Sequence, residues 1–76
     1  MSEDRGLTRK DMLIKKAIRD YSAKYGVGVN NYGSISNLEL LCFMKDNKMG
    51  VRWISKNCIR TVRSKLPEQY REKLEE

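Results

Sequence analysis

Hydrophobic residues along this chain fall into three stretches with helical spacing. From Arg9 to Tyr25, the residues Leu13, Ile14, Ala17, Ile18, Tyr21 and Tyr25 recur at steps of three and four. At about 100° per residue they form one stripe, with Lys15, Lys16 and Arg19 roughly opposite and Met12 on the outer face. The pattern predicts an amphipathic helix over 9–25. Thr8 is a good N-cap, with Asp11 three residues on as a weak capping box, and Gly26 ends the helix at C′. Residues 1–7 are polar and charged and read as a frayed tail ahead of a single helical domain over 8–76.

Residues 26–35, GVGVNNYGSI, hold three glycines and two asparagines. They predict a loop or a minimal β-hairpin over 27–35, with Val27, Val29 and Ile35 extended around an Asn30–Asn31 turn. Tyr25 and Tyr32 flank this loop, either packed over the domain edge or touching a partner. Ser36 and Glu39 then form an S-x-x-E capping box, with Ile35 and Leu40 as its hydrophobic staple. The helix that follows runs to about Asp46. It is apolar almost all round, through Leu38, Leu40, Leu41, Cys42, Phe43 and Met44, and is expected to be the most buried.

Asn47 to Gly50 reads as a turn. Val51-Arg52-Trp53-Ile54 is either a short extended piece or the first turn of the next helix. Ser55 is a candidate N-cap for a helix over Lys56–Leu66. Pro67 disfavours the α conformation at Leu66 and suits N1 of a last helix to about Glu75, with Tyr70 and Leu74 on a narrow apolar stripe. The predicted class is all-α or mostly α: three to four short helices around one small core.

A chain of 76 residues makes one domain, and one this short buries only about 60–65% of its unfolded surface. Its 16 Lys and Arg against 10 Asp and Glu give a net charge of +6, a bias toward phosphate or acidic protein surfaces. Most of the excess sits in residues 51–66, where Arg52, Lys56, Arg60, Arg63 and Lys65 meet no acid. The C-terminal ten residues are net acidic.

Several chemistries are disfavoured. The chain contains no His, so general-base work and a Cys–His nucleophile have no imidazole to draw on. Cys42 and Cys58 are too few for a zinc site, and no cofactor or metal is expected. Both thiols sit among apolar residues and are expected reduced and buried, a disulfide being the less favoured reading. With no secretory signal and no apolar run near the ~20 residues of a membrane span, a cytoplasmic protein that is neither an enzyme nor membrane-bound is expected.

The informative segment is Ser55 to Leu66. Ile59, Val62 and Leu66, with Cys58 at the edge, cover about 100° of arc. Lys56, Arg60 and Arg63 cluster on a neighbouring arc beside Asn57, Thr61 and Ser64. A helix that reads the DNA major groove needs this division: Arg and Asn for base edges, Ser, Thr and Lys for phosphates, and an apolar back. An apolar helix, a turn ending in Gly50-Val51, and a polar helix carrying Ile59, Thr61-Val62-Arg63 and Leu66 resemble the helix-turn-helix class over residues 36–66. Five residues separate Gly50 from Lys56, unless the second helix starts at Val51. The resemblance implies that Lys56, Asn57, Arg60, Thr61 and Ser64 face a groove and that Arg63 contacts phosphate.

Arg52 belongs to the same basic run. Lys15, Lys16 and Arg19 form a second cluster, which either grips a flanking phosphate strand or serves solubility. Trp53 is either a core anchor or a stacking platform on the basic face. The leading expectation is therefore a basic module that binds double-stranded DNA and regulates transcription, paired as a homodimer through Tyr70 and Leu74 of the 67–76 helix. The alternative is a protein-interaction module or inhibitor, of the kind viruses encode, that caps an acidic partner surface. RNA binding through shape and phosphates is a weaker third reading.

Overall fold

Thr8 and Asp11 open the first helix with reciprocal bonds. The Thr8 hydroxyl accepts from Asp11 N at 3.2 Å and Asp11 Oδ2 accepts from Thr8 N at 3.1 Å. In the computed structural model, which describes residues 6–49 and 54–73, the helix that follows, α1, spans Arg9–Tyr25 as its periodicity predicts. Gly26 ends it at φ +75°, a left-handed conformation that costs a residue with a Cβ more than it costs glycine. Leu7, expected in the tail, packs partly buried against the core.

α2 spans Asn37–Asp46 behind the predicted capping box, with Ser36 Oγ accepting from Glu39 N at 3.1 Å and Glu39 Oε1 accepting from Ser36 N at 3.2 Å. It ends earlier than Gly50. Asn47 Nδ2 caps the Phe43 carbonyl at 2.7 Å, Lys48 turns to φ +51°, and Met49 N returns to the Met44 carbonyl. α3 spans Lys56–Lys65, with Ser55 Oγ accepting from Cys58 N at 3.2 Å. Ile54 and Ser55 are not helical, so α3 does not reach back to Val51. Leu66 stops it in an extended conformation, as a residue before proline should.

Two expectations are corrected. Residues 27–35 form no hairpin: Val29–Ser34 is a short 3₁₀ helix, and the described residues contain no strand. Nor do the described residues of the predicted 67–75 helix, 67–73, form an α-helix. Glu68–Tyr70 is a single 3₁₀ turn, after which Arg71 is extended. One contact links the two corrected segments. The chain after Tyr70 runs against the 29–34 segment, where Lys73 N donates to the Gly33 carbonyl at 2.9 Å. Gly33 permits this approach, because a Cβ there would lie 2.5 Å from the Arg71 carbonyl oxygen.

The three α-helices pack on one another, and α1 also meets the 29–34 segment. One core gathers Ile14, Ala17 and Ile18 from α1, Leu40 and Met44 from α2, and Ile59 and Val62 from α3. Tyr32, Ile35, Ile54, Leu66 and Tyr70 complete it from the connecting segments. This is a small all-α fold. α2 is buried on one side only: Leu40, Phe43 and Met44 face inward, whereas Leu38 and Cys42 are exposed. The expectations of a fully buried α2 and a buried Cys42 are corrected accordingly.

Candidate nucleic-acid interface

α3 presents two unlike faces. Ile59, Val62 and Leu66 are buried in the core, as their spacing predicts. Lys56, Asn57, Arg60, Thr61, Ser64 and Lys65 are exposed. Lys56, Asn57 and Arg60 line one groove with Ser36, Asn37 and Leu38 of the α2 start. Glu72, from the C-terminal segment, lines it too. The Ser64 hydroxyl is committed as a donor to the Thr61 carbonyl at 2.6 Å, leaving its lone pairs as acceptors. Lys65 reaches α1, with Nζ 3.6 Å from Asp11 Oδ2.

Arg63, expected at a phosphate, is only 1% exposed. Its Nε donates to the Tyr70 carbonyl at 2.7 Å and Nη2 to the Tyr32 carbonyl at 2.9 Å. Nη1 donates to the Ile35 carbonyl at 2.6 Å and to Asn37 Oδ1 at 3.1 Å. Burial pulls its pKa below the usual arginine value, and the Glu72 carboxylate opposes that shift. The group remains cationic, because arginine holds its proton far above neutral pH. A helical step of four residues advances only about 40°, so Arg63 stands beside Ile59 at the edge of the apolar stripe. That placement was the available signal; the carbonyl cage that receives the guanidinium has no local signature.

The first-helix cluster is similarly divided. Lys15 is buried, with Nζ 5.5 Å from the centre of the Tyr70 ring. Arg19 is exposed, and its Nε donates to Tyr70 Oη at 3.0 Å. Lys16 pairs with Asp20 at 2.9 Å on the surface. Lys16 and Arg19 border a groove along α1 that shares no described residue with the one holding Lys56, Asn57 and Arg60. Lys15 thus joins Arg63 as a cation turned inward.

Tyr70, expected on a dimer-forming helix, is buried at 1% exposure, with its ring 4.9 Å from that of Tyr32. It belongs to the core, so one of the two apolar residues expected to form the C-terminal dimer contact is not available to it. Tyr32 is likewise packed inside, whereas Tyr25 is exposed. Arg52, Trp53 and Leu74 lie outside the described residues. Sequence reasoning did not place Ser36, Asn37, Leu38 or Glu72 beside the basic helix, since all four arrive there by tertiary packing.

Nine residues, 47–55, separate α2 from α3, against three to four in a compact helix-turn-helix. Among the described residues there is no cluster of three metal-ligating side chains and no helix long and apolar enough to cross a membrane. Comparison with known protein families, curated proteins and solved structures finds no match for this chain.

Proposed function

We propose that this chain is a small nucleic-acid-binding module that engages double-stranded DNA with the outer face of α3, in the manner of a helix-turn-helix regulator. The observation that carries the reading is the composition of that face. Lys56 and Arg60 stand there with Asn57, Thr61 and Ser64, and α3 contains no acid. The opposite face is anchored by Ile59, Val62, Leu66 and the buried Arg63. A rigid, apolar-backed helix with a polar cationic front suits entry into a major groove. Arg60 and Asn57 have the donor geometry for base edges, while Lys56 and the Thr61 and Ser64 hydroxyls suit phosphate oxygens. On this reading the longer inter-helix connection changes how α2 crosses the duplex backbone but leaves the presented face intact.

The test is binding of a fluorescent random-sequence duplex across a salt series, comparing wild type with Lys56→Ala/Arg60→Ala. Micromolar affinity that falls steeply with salt is expected. In the variant the affinity should drop, and the salt slope should flatten by about one for each phosphate left without its cation. Equal binding by the variant, or no binding at low salt, rejects the reading. The second reading, an acidic protein surface docked on the same cations, would show as competition by an acidic protein but none by duplex.

A further inference from the structure

The described residues expose four large apolar side chains: Met12, Tyr25, Val29 and Leu38. Two of them share a surface. Tyr25, 57% exposed at the end of α1, and Leu38, 56% exposed at the start of α2, line one concavity together with exposed Cys42. Its floor is aromatic: Tyr21 lies tilted against Tyr25 at 4.6 Å between ring centres and meets Phe43 edge-on at 5.5 Å. α2, apolar almost all round, therefore turns one side into the core and leaves the other uncovered.

We propose that this α1–α2 face is the contact by which two copies of the chain form a two-fold dimer. Charge selects the occupant. Along the concavity Lys24 stands against Glu39 and Asp46, a formal balance of −1 on a body of +6. The groove around Met12 is instead lined by Arg9, Lys15, Lys16 and Arg19 against Asp20 alone, so two copies would repel one another there. Like-charged bodies associate where the local field is weakest, and the Tyr25–Leu38 face offers apolar area without the cation excess of the Met12 groove. A two-fold axis makes a patch meet itself. It can therefore set Lys24 of each copy against an acid of the other while Tyr25 and Leu38 bury one another. A contact this limited suits a weak, reversible dimer. The inference does not depend on nucleic-acid binding.

The test is sedimentation of the whole chain from micromolar to millimolar concentration, without nucleic acid. Wild type is expected to pass from monomer to dimer and to keep doing so at high salt, where repulsion between the two cationic bodies is screened. Tyr25→Ser/Leu38→Ser should stay monomeric or shift the midpoint upward by about tenfold or more, with an unchanged helical spectrum, because both side chains are largely solvated. As an independent check, Lys24→Glu should weaken association, and an equimolar mixture of Lys24→Glu with Asp46→Lys chains should restore it. A wild-type chain that stays monomeric throughout overturns the proposal, as does a dimer that neither set of changes affects. Duplex binding, measured separately on the monomeric variant, keeps failure of this inference distinct from failure of the DNA reading.

Discussion

Arg63 Nε donates to the backbone carbonyl of Tyr70 at 2.7 Å, and that bond joins the last turn of α3 to the segment that follows it. The remaining guanidinium donors reach Tyr32, Ile35 and Asn37. One side chain thus ties three parts of the chain that have no ladder to hold them. Removing it strands several buried acceptors, each at a cost of about 1–3 kcal/mol. Arg63→Ala is expected to lose about 3 kcal/mol or more, a large share of the stability of so small a domain. Its melting temperature should fall by about 15 °C or more. Arg63→Lys should recover little, because an ammonium cannot reproduce the planar fork. Thermal and urea unfolding followed by circular dichroism would check both; a near-wild-type melt for Arg63→Ala would contradict the clamp.

Gly33 is held by proximity. A methyl group there would meet the Arg71 carbonyl at 2.5 Å and Lys73 Cγ at 2.9 Å. Lys73 can move, but the backbone carbonyl can do so only by breaking the neighbouring Lys73 N to Gly33 O bond. Gly33→Ala is expected to destabilise by about 1–3 kcal/mol, the range for overpacking a buried site. Amide exchange should show reduced protection at Lys73. Unchanged protection there would mean that the C-terminal segment is not held by this contact.

Asp11 supplies the acid sensitivity. Burial would raise its pKa, but the two hydrogen bonds with Thr8 and the Lys65 ammonium outweigh burial and hold it below the ordinary carboxylate value. A carboxyl depressed in the folded state contributes stability that is present above its unfolded pKa, about 3.9, and lost as pH falls through the lower folded value. Wild type should lose stability below about pH 4. Asp11→Asn should be less stable at neutral pH and lose less on acidification. Unfolding free energies at neutral pH and near pH 3 would decide; parallel acid limbs would remove Asp11 from the account.

Thr8→Ala and Ser36→Ala each delete the acceptor of a capping box, at an expected cost of about 1 kcal/mol apiece. The α2 start lies beside the far end of α1, where Leu38 and Glu39 share a concavity with Tyr21 and Tyr25, so the two losses should add in a double variant, within about 0.5 kcal/mol. Stronger coupling, read from denaturation midpoints, would show that the α1 and α2 starts are not independent.

The two thiols should differ in reactivity under native conditions. Cys42 is exposed and Cys58 only partly so. Modification by a disulfide reagent is expected to be faster at Cys42, with the rates converging in denaturant. Equal native rates would argue against the exposed side of α2.

Local information specified the helices. Thr8 with Asp11, Ser36 with Glu39, and Ser55 mark starts by bonds that span only three residues, and the period of Leu13 to Tyr21 or of Ile59 to Leu66 names the buried side of a helix before any partner is known. Pro67 fixed the end of α3 through its clash with Leu66. The exposed cations of α3 were legible for the same reason, since sequence spacing gives the direction of a side chain on a helix.

Long-range contacts decided the rest. Arg63 and Arg60 have the same chemistry three residues apart, yet one is caged and the other solvated. The difference lies in carbonyls of Tyr32, Ile35 and Tyr70 that only the folded chain brings to that corner. The Tyr32 and Tyr70 carbonyls of the cage lie in the 29–34 and 68–70 turns, so one guanidinium bonds both turns at once. Tyr70 and Lys15 moved inside with it. Leu38 and Cys42 moved outside, because α2 has neighbours on only one of its apolar sides. Short-range patterning of residues was enough to place the three α-helices and the buried sides of α1 and α3, but not the 3₁₀ turns or the exposed side of α2. Which charges are buried was settled by packing, because a buried charge needs acceptors contributed from distant parts of the chain.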